Sequence, residues 1–192
     1  MKRYLVAGIA LLLAAATQAV AAGPQEQNTQ KATVTSVLER RLSAVEHEVV
    51  PAAEAMPDDK YNFAPTQGEF KGVRTFALQV KHIATINYEL FAPLAGEKPP
   101  VDMGENENGA ASLQSKADIV KYLKDSFAYA HKCVQKLEGS DGLESIRNPF
   151  GEGMTTRLNL AILGVAHPYD HYGQMVEYLR MNGIIPPASR AQ

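Results

Sequence analysis

Two histidines stand four residues apart in the stretch His167-Pro168-Tyr169-Asp170-His171-Tyr172-Gly173-Gln174-Met175. On an α-helix such positions are neighbours on one face, so both imidazoles can reach a single ion. Imidazole is the commonest protein ligand for metals, and a bound divalent ion can activate a water at neutral pH. The spacing matches the histidines of a zinc-protease motif, but Pro168, Tyr169 and Asp170 stand between them and the glutamate of that motif is missing. A zinc protease is therefore disfavoured. The competing reading is structural: a buried imidazole must find polar partners, and neighbouring side chains can supply them instead of a metal.

Two imidazoles make a poor metal site, whereas three protein ligands with one open position form the usual catalytic zinc pattern. The remaining histidines are His47, His82 and His131. His47 lies off the apolar stripe of its segment beside Glu46 and Glu48, and reads as solvated. His131 flanks the stripe of its helix and reads as boundary packing. His82 shares a second strip with Leu78, Ile86 and Glu89, nearly opposite the main apolar stripe of its segment. A helix apolar on two sides is buried on two sides, so His82 can point inward, although periodicity alone leaves a surface position equally open. His82 is the chosen third ligand, since facing helices supply the ligands of metal sites in bundle cores. Asp170 and Glu89 are reserve ligands or partners that orient an imidazole, and Tyr169, Tyr172 and Gln174 are candidates to line the pocket.

Four amphipathic segments would position these residues, which makes the fold class all-α, a four-helix bundle. The first runs from Thr33 with Val34, Leu38, Leu42, Val45, Val49 and Ala52 at helical spacing, and ends by Pro57. Pro57 to Pro65 then reads as a loop pinned to the bundle by Tyr61 and Phe63. The second helix is expected over about residues 72–94, its main stripe being Val73, Phe76, Ala77, Val80, Ala84 and Phe91. Residues 95–114 have no period and carry glycines, prolines and the acidic Asp102, Glu105 and Glu107. So long a connection between the second and third helices suits a crossing linker or a mobile cover over one bundle end.

The third helix opens at Ser115-Lys116-Ala117-Asp118, a variant of the capping box, and residues 139–154 read as a glycine-rich loop. The fourth spans about residues 156–181, with Arg180 in its last turn, Gly183 beyond it and Pro186-Pro187 after that. Leu160, Leu163, Gly164, His167, His171, Gln174, Met175 and Tyr178 share one of its faces, so the histidine pair points into the core. Pro168 collides with the carbonyl of Gly164, four residues back, and a kink is expected at the histidines.

Ahead of this domain, Lys2 and Arg3 precede an apolar run from Leu5 to Ala16, and Ala19-Val20-Ala21 offers a small-residue cleavage site. Residues 1–22 read as a secretory signal peptide, residues 23–32 as a flexible leader and residues 33–188 as the bundle domain. Thr17 and Gln18 interrupt the run before the roughly 20 apolar residues that a membrane span needs, so no stable membrane anchor is expected after cleavage. The expected location is across the inner membrane, in the periplasm. Cleavage leaves 17 basic residues against 21 acidic ones and moves the net charge from −2 to −4. No basic run is present, which argues against nucleic acid as a partner. The single cysteine, Cys133, has no internal disulfide partner and reads as a buried small hydrophobe.

Three segments carry a resemblance to a known family: Met56 to Pro65, Phe76 to Ala84 with Val80-Lys81-His82-Ile83-Ala84 at its end, and His167 through Tyr178 to Pro187. Over roughly residues 33–188 the chain resembles the DinB-like (damage-inducible B) four-helix metal-binding bundles. The resemblance implies a divalent metal, zinc or nickel, held by His82, His167 and His171. It also implies a mirror variant of the up-down bundle, similarity to transferases and isomerases that use bacillithiol or mycothiol, and a homodimer. Three functions follow for comparison: a metal-dependent transferase or hydrolase acting on a small molecule, a non-catalytic metal-binding protein, and a structural bundle.

Overall fold

The computed structural model describes residues 31–137 and 142–190. The leader read at residues 1–22 lies outside the described residues, as does most of the polar stretch that follows it. Four α-helices dominate the rest: α1 (Val34–Ala55), α2 (Phe76–Phe91), α3 (Lys116–Gln135) and α4 (Arg157–Met181). Among the described residues no helix is long and apolar enough to cross a membrane.

Each helix starts at a hydroxyl that satisfies an otherwise free backbone N–H. The side chains of Thr33, Thr75, Ser115 and Thr156 accept from the amides of Ser36, Leu78, Asp118 and Asn159 respectively. The expected start of α2 near Gly72 is corrected to Phe76 by the Thr75 cap. Its end is corrected to Phe91, because Pro93–Ala95 forms a 3-10 turn that closes on Gly96 in the left-handed conformation. The helix α4 runs through Pro168 as one element.

Helix α1 packs against α3 and α4, and α2 packs against the same two. Helices α1 and α2 therefore stand diagonally across the bundle, and the connection between them must cross its end. That crossing is pinned as expected. Tyr61 is buried with its ring edge-on to Phe76 at 5.3 Å, and Phe63 meets Tyr178 at 5.7 Å. The backbone joins in, with the amides of Phe76 and Ala77 donating to the carbonyls of Phe63 and Tyr61, both at 2.8 Å. The glycine-rich segment before α4 contains an antiparallel hairpin that the loop reading missed, β1 (Ser145–Arg147) paired with β2 (Met154–Thr156), with Ile146 opposite Thr155.

Helix α2 is the centre of the molecule: 14 of its 16 residues are buried. Its outer side is covered by the connection to α3, which is neither a simple crossing nor a loose cover but a strap tied along α2. The buried ammonium of Lys81 donates to the carbonyls of Ala110 at 3.2 Å and Leu113 at 3.4 Å, and Arg74 Nε donates to Asn108 Oδ1 at 3.3 Å. The strap closes on itself where the Gly109 amide donates to the Met103 carbonyl at 3.0 Å. Gly104 is required there: at φ 63° a Cβ would stand 1.9 Å from the Gly109 oxygen.

Candidate metal centre

Helices α2 and α4 lie side by side, and their facing sides bring three imidazoles together. His82 and His171 are buried and His167 is partly so. His167 Nε2 lies 3.3 Å from His82 Nε2 and 3.0 Å from His171 Nε2. One ligand atom from each residue falls within 4.8 Å of the other two. Nitrogens bound at about 2.0–2.1 Å around a tetrahedral ion stand roughly 3.3 Å apart, so the spacing fits a shared cation.

His82 is oriented by the strap. Its Nδ1–H donates to the Glu107 carbonyl at 3.1 Å, which leaves the Nε2 lone pair facing the other two rings. The Glu107 carboxylate is 3.7 Å from the same nitrogen. Asn106 and Glu107 take the left-handed backbone, at φ 53° and 58°, to present that carbonyl. For residues other than glycine this conformation is strained, and such strain gathers at functional sites.

Burial is the leading cause that pushes His82 down to a pKa of about 4 and His167 to about 3, and it lowers His171 as well. The neighbouring rings and Arg74 add to the effect on His82 and His167. At neutral pH all three imidazoles are neutral and offer lone pairs.

Without a cation this arrangement has an unmet polar requirement. A neutral imidazole carries one N–H, and His82 uses its own on Glu107. The remaining rings can place at most their Nε2–H groups between the clustered nitrogens. A central cation would replace those mutually opposed lone pairs with three bonds. The donor set therefore fits a divalent metal.

The pocket-lining expectations divide. Gln174 is at the centre, paired by hydrogen bond with the Gln79 amide and lining a cavity of about 520 Å³ with His171, Arg74, Asn108 and Leu78. Val73, placed by periodicity on the buried stripe of α2, precedes the helix and lines the same cavity. A second cavity of about 220 Å³ is walled by His82, His167, Ile86, Leu90, Glu107, Phe150 and Leu163. This explains why Leu163, expected in the core, is 42% exposed.

Tyr169 and Tyr172 line neither cavity. They turn toward α1, where the Glu48 carboxylate raises both phenol pKa values after burial has done so. The three-histidine cluster includes neither Asp170 nor Glu89. Asp170 is exposed and acts on His171 by its charge alone, and Glu89 lines a separate cavity with Glu107. Sequence reasoning missed Arg74, Gln79 and Asn108. The only advance signal for Asn108 and Glu107 was the length of an aperiodic connection.

Neither of the other histidines joins the cluster, and His131, read as boundary packing, is instead a polar bridge. His47 is exposed. His131 bridges α3 to α1, its Nδ1 at 2.7 Å from Glu39 and its Nε2 at 2.9 Å from Glu46. Cys133 is buried and free.

Compared with known families, the chain matches the model of the DinB superfamily over residues 41–175. Comparison with curated proteins gives no match.

Proposed function

We propose that this chain, which belongs to the DinB superfamily, holds a divalent metal ion, zinc or nickel, on His82, His167 and His171 and works as a metal-dependent transferase or hydrolase on a small molecule. The observation that carries this reading is the approach of three neutral imidazole Nε2 atoms to within 3.0 and 3.3 Å along the triad, in a wall shared by two cavities. A divalent ion in such a setting is a Lewis acid that would lower the pKa of a bound water toward about 7 and hold a bound thiol as the thiolate.

The chain's own residues prepare the site. The Glu107 carbonyl fixes the tautomer and direction of His82, and burial keeps the triad unprotonated at neutral pH. Gln79, Gln174 and Arg74 supply polar contacts beside His171 for a ligand entering the larger cavity. The competing reading, a non-catalytic metal-binding protein, requires a fourth protein ligand. That neither Glu89 nor Asp170 joins the cluster favours an open position.

The cobalt-substituted protein separates the two. An absorption spectrum that changes with a competing anion indicates an open position, and an unchanged spectrum indicates a closed site. Thiol-transfer and ester- or amide-hydrolysis screens of the metal-loaded protein then test for turnover. Turnover abolished by chelation supports the enzyme, and its absence throughout contradicts it. The periplasmic location implied by the leader and a homodimer belong to the same proposal, and cell fractionation and sedimentation test them.

A further inference from the structure

The larger cavity beside the triad contains a cation that no carboxylate among the described residues neutralises. Arg74 is half-buried in its wall and forms no ion pair among the described residues. It is held in place at both ends. The Tyr178 hydroxyl donates to its carbonyl at 3.0 Å, and its Nε donates to Asn108 Oδ1 at 3.3 Å. The terminal guanidinium nitrogens have no hydrogen-bond acceptor among the described residues, and they are the atoms that form two parallel bonds to a planar oxyanion.

A second observation stands independently of the arginine. Gln79 is 3% exposed and lines the same cavity, and one of its amide atoms, Oε1, is buried with no partner among the described residues. A buried polar atom left unmatched is costly, and in a cavity wall it marks a place for a polar ligand. The N-terminus of α2 does not compete for that role. The amides of Phe76, Ala77 and Leu78 are already bonded to Phe63, Tyr61 and the Thr75 side chain.

We infer that the cavity lined by Arg74, Gln79, Asn108, Gln174 and His171 binds a small organic monocarboxylate, its carboxylate on the Arg74 guanidinium and its remainder reaching toward the triad. Apart from any metal held by His171, Arg74 is the only side chain with a fixed formal charge in that lining, so in the metal-free protein one cation faces one negative charge. Its planar fork can take a carboxylate through two parallel bonds. The inference names the substrate class of the proposed centre and rests on that reading for what is done to the bound acid.

Ligand-observed NMR titration at pH 7 tests it on the full mature protein, loaded with zinc and again stripped of metal. The probes are lactate and benzoate, their amides, and inorganic phosphate. At least one carboxylate is expected to bind saturably to both forms, its amide at least tenfold more weakly. Arg74→Gln is expected to weaken that carboxylate at least tenfold in a chain that stays folded and still loads with zinc when the metal is in excess. Equal affinity of acid and amide, equal affinity in Arg74→Gln, tighter binding of phosphate than of either acid, or binding of neither acid would overturn the inference.

Elemental analysis of the same samples keeps the two readings apart. Carboxylate binding at Arg74 in a chain that takes up no zinc supports the anion site and removes the metal-dependent function. Stoichiometric zinc with no Arg74-dependent binding does the reverse.

Discussion

Acidifying the metal-free protein is predicted to destabilise it through the triad. In an unfolded chain a histidine titrates near pH 6.5, whereas burial, the largest cause, holds His82 down to about 4 and His167 to about 3 in the folded protein. Between these values the unfolded chain takes up a proton that the folded chain refuses. Stability is therefore complete above about pH 6.5 and falls as the pH drops toward the folded values. For His82 a displacement of about 2.5 pH units corresponds to a ceiling of roughly 3 kcal/mol, of which about 2 kcal/mol is lost between pH 7 and pH 5.

His167 adds to this, though not additively, because its Nε2 is 3.3 Å from that of His82 and the rings titrate as a coupled set. Against a typical stability of about 5–15 kcal/mol the effect is large. The assay is urea unfolding of metal-free wild type and His82→Gln at pH 7 and pH 5. Wild type should lose on the order of 2 kcal/mol more than the variant across that interval. Equal losses in the two proteins would refute the claim that burial keeps the triad neutral.

Three further outcomes follow from other contacts. His131, raised chiefly by its hydrogen bond to Glu46 and further by Glu39, has the opposite sign. Its stabilisation is full below about pH 6.5 and is lost as the pH rises through the raised folded value, so alkaline titration should lower the melting temperature of wild type more than that of His131→Gln. Gly164→Ala should lower the melting temperature by a few degrees. A Cβ there would lie 2.5 Å from the fully buried Phe91 ring, and overpacking at about 1–3 kcal/mol outweighs the roughly 1 kcal/mol gained in helix propensity. Lys81→Met should speed amide exchange across residues 104–113 by untying the strap and weaken zinc binding about tenfold by loosening Glu107 behind His82; unchanged exchange would contradict it.

The limits of what periodicity conveys are visible in individual residues. The start of α3 was readable from the cap at Ser115, the end of α4 from Gly183 and the start of α1 from the apolar stripe that begins at Val34. The Thr75 cap of α2 gave no such signal. The pair His167 and His171 declared itself by a spacing that any helix keeps. His82 did not: α2 is buried on nearly every side, so no stripe distinguishes its inner face, and the strap that covers it has no period to read. The resemblance to the DinB-like family, carried partly by Val80 to Ala84, supplied the direction that periodicity left open.

Arg74, Gln79 and Asn108 were invisible for a related reason. Each reaches the cavity through tertiary placement, one just before a helix cap, one inside α2 and one on the strap. Tyr169 and Tyr172 misled in the opposite sense. They are neighbours of the histidines along the chain, but at 100° per residue they turn away from them, toward α1. The short hairpin before α4 was hidden by the glycines around it, since three-residue strands fall below the length at which alternation can be recognised.

The most direct test of the central claim is elemental analysis of the protein purified without a polyhistidine tag and dialysed, beside His167→Ala prepared in the same way. The account predicts about one equivalent of a divalent metal in wild type and almost none in the variant, because His167 is the ring that stands between the other two. A metal-free wild type that fails to take up added zinc or nickel, or a variant holding as much metal as wild type, would contradict it.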